Sequence, residues 1–162
     1  MAKRQVFYSF HFKNDVMRVQ QVRNMGVIEG NPIISPNSWE EIKRKGDSAI
    51  KKWIDDNMKY RSCLVVLVGS ETANRKWVNY EIEKAWNDGK GVVGIYIHNL
   101  KCPNNGVSKK GKNPFDNFTL GDKKLSDIVK CYNPNSSDTY NDIKNNLNNW
   151  IEEAIEIRKK YT

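Results

Sequence analysis

Apolar and polar positions fall into well-marked blocks along this chain, and the densest block runs from Arg61 to Trp86 (RSCLVVLVGSETANRKWVNYEIEKAW). It opens with a continuous apolar run, Cys63 to Val68, ending at Gly69-Ser70. A short run with no polar alternation suits a strand covered on both faces, as in a parallel sheet. Ser70, Thr72 or Asn74 is then placed to cap a helix that continues to Asp88, with Gly89 as its stop. On a helical wheel, Trp77, Val78, Ile82, Ala85 and Trp86 cover an arc of roughly 180°. Glu81 falls at about 40° from Trp77, inside that arc, whereas Glu83 falls at about 240°, on the side of Lys76, Tyr80 and Lys84. A carboxylate on a packing face is costly unless it is paired, hydrogen-bonded or facing a cleft. Glu81 is therefore the residue that needs a reason.

The remaining blocks repeat the same alternation of strand and helix. Gln5 to Phe12 (QVFYSFHF) is aromatic and β-branched and predicts the first strand. Asn14 is the expected cap of a helix carrying Val16, Val19 and Val22, closed by Gly26. Val27 to Ser35 holds a second strand at best, broken by Pro32 and Pro36. Ser38-x-x-Glu41 is a capping box, and Trp39, Ile42, Ala49, Ile50, Trp53 and Ile54 keep helical spacing as far as Ile54. Gly91 to Ile97 is another buried strand, and 100–118 reads as a long loop with glycine, proline and four lysines. Leu125 to Tyr132 supplies a last, shorter strand. Asp138 begins a closing helix with Ile143, Leu147, Trp150, Ile151, Ala154 and Ile155 on one face. No repeat or linker divides residues 1–162, so a single domain is expected. The alternation predicts an α/β fold, an open, mainly parallel five-stranded sheet with helices on both faces in a flavodoxin-like order.

Composition adds few constraints. The sequence is 38% hydrophobic with five tryptophans, which favours a globular fold over disorder. A formal charge of +8 is spread along the chain, denser from Lys101 to Lys124, and reads first as a solvated basic surface. Nucleic acid is not indicated. Three separated cysteines fit neither a disulfide set nor a zinc site, so no metal is expected, and a reducing, cytoplasmic setting follows. No stretch is long or apolar enough to predict a membrane span or a leader.

Ligands of such sheets bind beyond the carboxyl ends of the strands. Those ends are Ser9-Phe10-His11, Gly69-Ser70 and His98-Asn99. A phosphoacceptor site would need clustered acids there, and they are absent. A flavin-phosphate turn, a GxGxxG loop and a Walker loop are absent as well. Ser9, Phe10, His11, Ser70 and Trp77 remain as candidate substrate contacts around Glu81. Each also has a plainer reading: Ser9 and Ser70 as turn residues, His11 as a strand-end residue, Phe10 and Trp77 as core rings.

QVFYSFH at the start, a middle strand ending in VGS and the helix W-V-N-Y-E-I-E-K-A from Trp77 to Ala85 together resemble a TIR domain. The stretch WEEIKRKGDSAIKKW from Trp39 to Trp53 further resembles the TIR-like proteins of bacterial Thoeris anti-phage defence, the ThsB type. One departure stands out: NPIISPNSW replaces the acidic, glycine-rich segment usual after the second strand. The resemblance implies that Glu81 cleaves the nicotinamide–ribose bond of NAD, which is a substrate, so that no cofactor is required. It implies further that the product is a cyclic ADP-ribose isomer signalling to a separate effector protein, in a chain able to self-associate. The residues alone leave two other classes open. One is a non-catalytic TIR scaffold working through protein contacts; the other is nucleoside deoxyribosyltransferase-like chemistry, which the Trp77 motif does not favour.

Overall fold

A computed structural model of the chain describes residues 3–31, 36–102 and 106–161. In chain order the elements are β1 (Gln5–Ser9), α1 (Phe12–Asn24), β2 (Glu29–Gly30), α2 (Pro36–Arg44), α3 (Asp47–Met58), β3 (Cys63–Val68), α4 (Lys76–Asn87) and β4 (Gly91–Tyr96), then β5 (Thr119–Leu120), β6 (Lys123–Lys124), β7 (Cys131–Tyr132) and α5 (Thr139–Lys159). Five strands form one parallel sheet in the order β2-β1-β3-β4-β7, while β5 and β6 make a separate antiparallel hairpin. Phe7 lies opposite Leu64, Val65 opposite Val93, and Gly94 opposite Cys131.

The continuous apolar runs follow from this architecture. Every residue of β3 and β4 is buried, because successive side chains enter two different cores. Val6, Tyr8, Cys63, Val65 and Leu67 face α1 and α5, where Val19, Val22, Ile143, Leu147 and Ile151 meet them. Phe7, Leu64, Val66 and Val68 face α3 and α4, against Ile50, Ile54, Val78 and Ile82. Each such side chain contributes about 1.5–3 kcal/mol by leaving water. The two cores clamp the central strands, and the ends of those strands are correspondingly well fixed.

Several local expectations are corrected. The first strand stops at Ser9, because Phe10 turns away and α1 already begins at Phe12; His11, not Asn14, is the N-cap residue, without a side-chain cap. The spacing from Trp39 to Ile54 belongs to two helices. Gly46, at φ 95°, breaks them in a backbone conformation open to glycine, and its carbonyl accepts the first amides of α3. Because α2 starts at Pro36, Ser38 lies inside it rather than at a capping box. None of Ser70, Thr72 or Asn74 caps α4; Arg75 occupies that position, Thr72 Oγ1 accepts the Gly69 N–H at 2.7 Å, and Asn74 takes a left-handed φ of 69°. The last strand shrinks to Cys131–Tyr132, with Leu125–Asp127 as a 3-10 turn. The second strand is two residues long, and Pro32 to Ser35 lie outside the described residues. Among the described residues no helix is long and apolar enough to cross a membrane, and no group of side chains is arranged to hold a metal ion.

Candidate active site

Glu81 is carried by α4, whose buried face is Val78, Glu81, Ile82, Ala85 and Trp86. Its side chain is only 7% exposed, while Glu83 is exposed, as helical spacing requires. Ser9, the last residue of β1 and itself buried, donates from Oγ to Glu81 Oε1 at 2.7 Å. The bond links the end of β1 to the middle of α4, across 72 residues of chain. Burial pushes the Glu81 carboxyl up from 4.5 to about 8, and the Ser9 hydroxyl, which favours the charged form, offsets part of that rise. Burial thus favours the neutral acid at neutral pH.

The carboxyl opens into a cavity of about 90 Å³. Of its ten described lining residues seven are aromatic, and the other three are Asn31, Val78 and Glu81. The rings form connected walls. Trp53 meets Phe7 edge-on at 6.2 Å and Trp39 edge-on at 5.8 Å, and Phe10 stacks on Phe12 at 6.2 Å. Trp77, one turn before Glu81, completes the enclosure and meets Tyr80 at 5.8 Å. Asn31 is held in place because its Oδ1 accepts the Tyr8 backbone N–H at 2.8 Å while its own carbonyl accepts from Arg23. Among the described residues the lining contains no lysine, arginine or histidine to neutralise an ionised Glu81. Such an arrangement can take a flat, positively charged ring, since aromatic faces attract a cation and an ionised Glu81 would balance it.

Of the six residues singled out in the sequence, Glu81, Ser9, Phe10 and Trp77 come together here. His11 and Ser70 do not line the pocket. His11 sits at the start of α1 near Arg75, Glu71 and Lys13, and burial together with the two cations holds it below the usual histidine range. Ser70 lies on the other side of the β3 end, against Gly111. Sequence reasoning missed Phe7, Tyr8, Phe12, Trp53 and Val78 as lining residues, while Asn31 and Trp39 are the two ends of the NPIISPNSW segment that stood out in the sequence. Trp39 and Trp53 were visible as apolar positions of a helix, but the break at Gly46 is what turns both toward one cavity.

A five-stranded parallel sheet with a buried glutamate on the helix that follows its central strand, set against the end of the first, defines a TIR-like α/β domain. The chain belongs to the family described as Thoeris protein ThsB, TIR-like domain, whose family model matches residues 7–102. That segment contains all six candidate residues. A Bacillus cereus (strain MSX-D12) protein, ThsB1, named as a proposed cyclic ADP-D-ribose synthase, is 40% identical over 121 residues, which are 72% of this chain and 62% of that protein. The chain therefore spans less than two thirds of that relative's length.

Proposed function

We propose that the protein cleaves the bond between nicotinamide and ribose in NAD and closes the remainder into a cyclic ADP-ribose isomer, a signal read by a separate effector protein. The observation that carries this reading is the buried Glu81, hydrogen-bonded to Ser9, as the one carboxylate among the described residues lining a mainly aromatic pocket. The name of the Bacillus cereus relative supports the same chemistry.

The oxidised nicotinamide ring carries a positive charge, and its arrival among the rings favours the ionised form of Glu81. When the C1′–N bond breaks, its electron pair moves to the ring nitrogen, and nicotinamide leaves neutral without needing a general acid. Charge then develops on the ribose, and the Glu81 carboxylate stabilises it in a site with little water. A hydroxyl of the same molecule attacks C1′ and gives its proton to Glu81, so the neutral acid of the empty site is restored. Ser9 orients the carboxylate throughout. The aromatic walls exclude water, which favours the internal nucleophile over hydrolysis.

The test is incubation with NAD under conditions of active phage defence, with free nicotinamide and products followed by mass spectrometry. A product one water lighter than ADP-ribose, lost in Glu81→Gln, is expected. Accumulation of ADP-ribose alone would make the protein a glycohydrolase, and equal activity in Glu81→Gln would remove Glu81 from the chemistry.

A further inference from the structure

The long segment after β4 encloses the start of the helix that carries Glu81. We infer that residues 98–102 and 106–117 form a clamp on the β3–α4 connection, and that Gly111 is its positioning residue for Glu81. This rests on the proposed function for its catalytic consequence, but not for its structural one. Most of the clamp lies beyond the part of the chain matched by the family model, which ends at residue 102.

The clamp closes as a ring around Gly69. From one side Asp15 of α1 packs so tightly on Gly69 that any Cβ there would overlap its carboxyl group. Asp15 Oδ1 accepts from Arg18 Nη1 at 3.0 Å, and both side chains are almost fully buried. The same guanidinium reaches the loop: Arg18 Nε donates to the Leu100 carbonyl at 2.9 Å, and Nη2 donates to the Gly106 carbonyl at 2.9 Å. The loop is tied to the end of the sheet where the Ser108 N–H donates to the His98 carbonyl at 2.8 Å. It then passes over the far side of Gly69. At Gly111 a Cβ would overlap the Gly69 carbonyl oxygen and stand 3.1 Å from the Ser70 carbonyl carbon. Glycine is required there because two backbones touch.

The grip continues toward α4. Asn113 Oδ1 accepts the Phe115 N–H at 2.9 Å and starts the 3-10 turn Pro114–Asn117. From that turn Asn117 Nδ2 donates to Oδ1 of Asn74, the residue of the connection with positive φ. Gly69, Thr72 and Asn74 are thus all fixed before α4 begins at Lys76. A helix held at its start by backbone contact holds the direction of every side chain on its first turns. Trp77 and Glu81 are two of them.

The experiment compares Gly111→Ala and Asn117→Ala with Lys144→Ala, an exposed change on α5 away from the β3–α4 connection. Hydrogen exchange of amides 69–76 and the carbon NMR titration of Glu81 are read without any assay of activity. In both clamp variants exchange at 69–76 is expected to accelerate about 10-fold or more, and the Glu81 midpoint to fall from about 8 toward 4.5 as water enters. With NAD, kcat for nicotinamide release is expected to fall about 10-fold while KM holds, since displacement of a reacting group by about 1 Å carries up to a 100-fold penalty. Lys144→Ala should change none of these. If Gly111→Ala does not fold, Asn117→Ala, whose change is exposed, decides the matter. Unchanged exchange and an unchanged Glu81 midpoint would overturn the clamp. Faster exchange with an unmoved midpoint would overturn its role in positioning Glu81. A wild-type protein that releases no nicotinamide, yet shows both physical shifts in the variants, would sink the proposed reaction and leave the clamp standing.

Discussion

Glu81→Gln should make the protein less stable in acid and more stable at neutral and alkaline pH. The folded state raises the Glu81 pKa from 4.5 to about 8, so between those values it holds a proton that the unfolded chain has released. Stability rises with pH only where the unfolded state binds more protons, and here the folded state binds more. Wild-type stability therefore declines through the window from 4.5 to about 8. At about 1.36 kcal/mol per pKa unit the full loss is about 5 kcal/mol above that window, and about 3 kcal/mol has been lost by pH 7. Glutamine has no such slope. Its oxygen keeps the bond from Ser9, but its amide hydrogens gain no partner in an aromatic pocket, which costs about 1 kcal/mol at every pH. The variant should thus start about 1 kcal/mol below wild type near pH 4 and end about 2 kcal/mol above it at pH 7, a rise in Tm of roughly 4–8 °C. This differs from the small thermal effect that a glutamate at a cleft mouth would suggest, because the carboxyl is enclosed. Urea midpoints of both proteins from pH 4 to 9 measure it, and every other titrating group cancels in the difference. Difference curves that stay flat across that range would refute the burial of an uncompensated Glu81.

Three further outcomes follow from neighbouring contacts. Ser9→Ala removes the hydrogen bond that favours the charged form, so the Glu81 midpoint should move above about 8 and the pH profile of kcat should move with it. Glu83→Gln, one turn face away and exposed, should leave nicotinamide release and the urea midpoint within error of wild type. Gly94→Ala would bring a Cβ to 2.7 Å from Cys131 Sγ and 2.8 Å from the Phe115 ring, and should cost about 1–3 kcal/mol by overpacking, read as a lower urea midpoint.

How far the sequence reveals this molecule depends on the range of the interactions involved. β3 and α4 were legible because each is specified locally, by an unbroken apolar run and by a helical apolar arc. Glu81 was legible for the same reason: spacing alone places it on the packing face and Glu83 on the other. What spacing cannot carry is the partner. Ser9 meets Glu81 across 72 residues, and Arg18 reaches Leu100 across 82. Capping failed where a side chain had a better use, as with Thr72, which satisfies Gly69 rather than α4. The helix over Trp39 to Ile54 failed as a single unit because apolar period continues through Gly46 while the backbone does not. The two segments on either side of that glycine then meet through Trp39 and Trp53, a contact no one-dimensional period encodes.

The sheet order bears on which part of NAD, the proposed substrate, the pocket would take. Chain connections diverge between β1 and β3, since β1 leads outward to β2 and β3 leads the other way to β4. A crevice must open at the carboxyl ends of that pair. One half is filled where Gly111 presses on Gly69, so the opening is left on the side of α3 and α4, between Phe10 and Phe12 after β1 and Trp77 and Glu81 after β3. A cavity of about 90 Å³ with no basic residue among its described lining is on the scale of one planar ring, and a doubly charged diphosphate inside it would be stripped of water with no counter-charge. If NAD is the substrate, as proposed, the pyridinium ring goes inward and the phosphates stay outside. In that orientation C1′ would lie between the dry pocket and solvent. The departing ring would then block water from the inner side and leave a hydroxyl of the same molecule as the nucleophile of the proposed reaction.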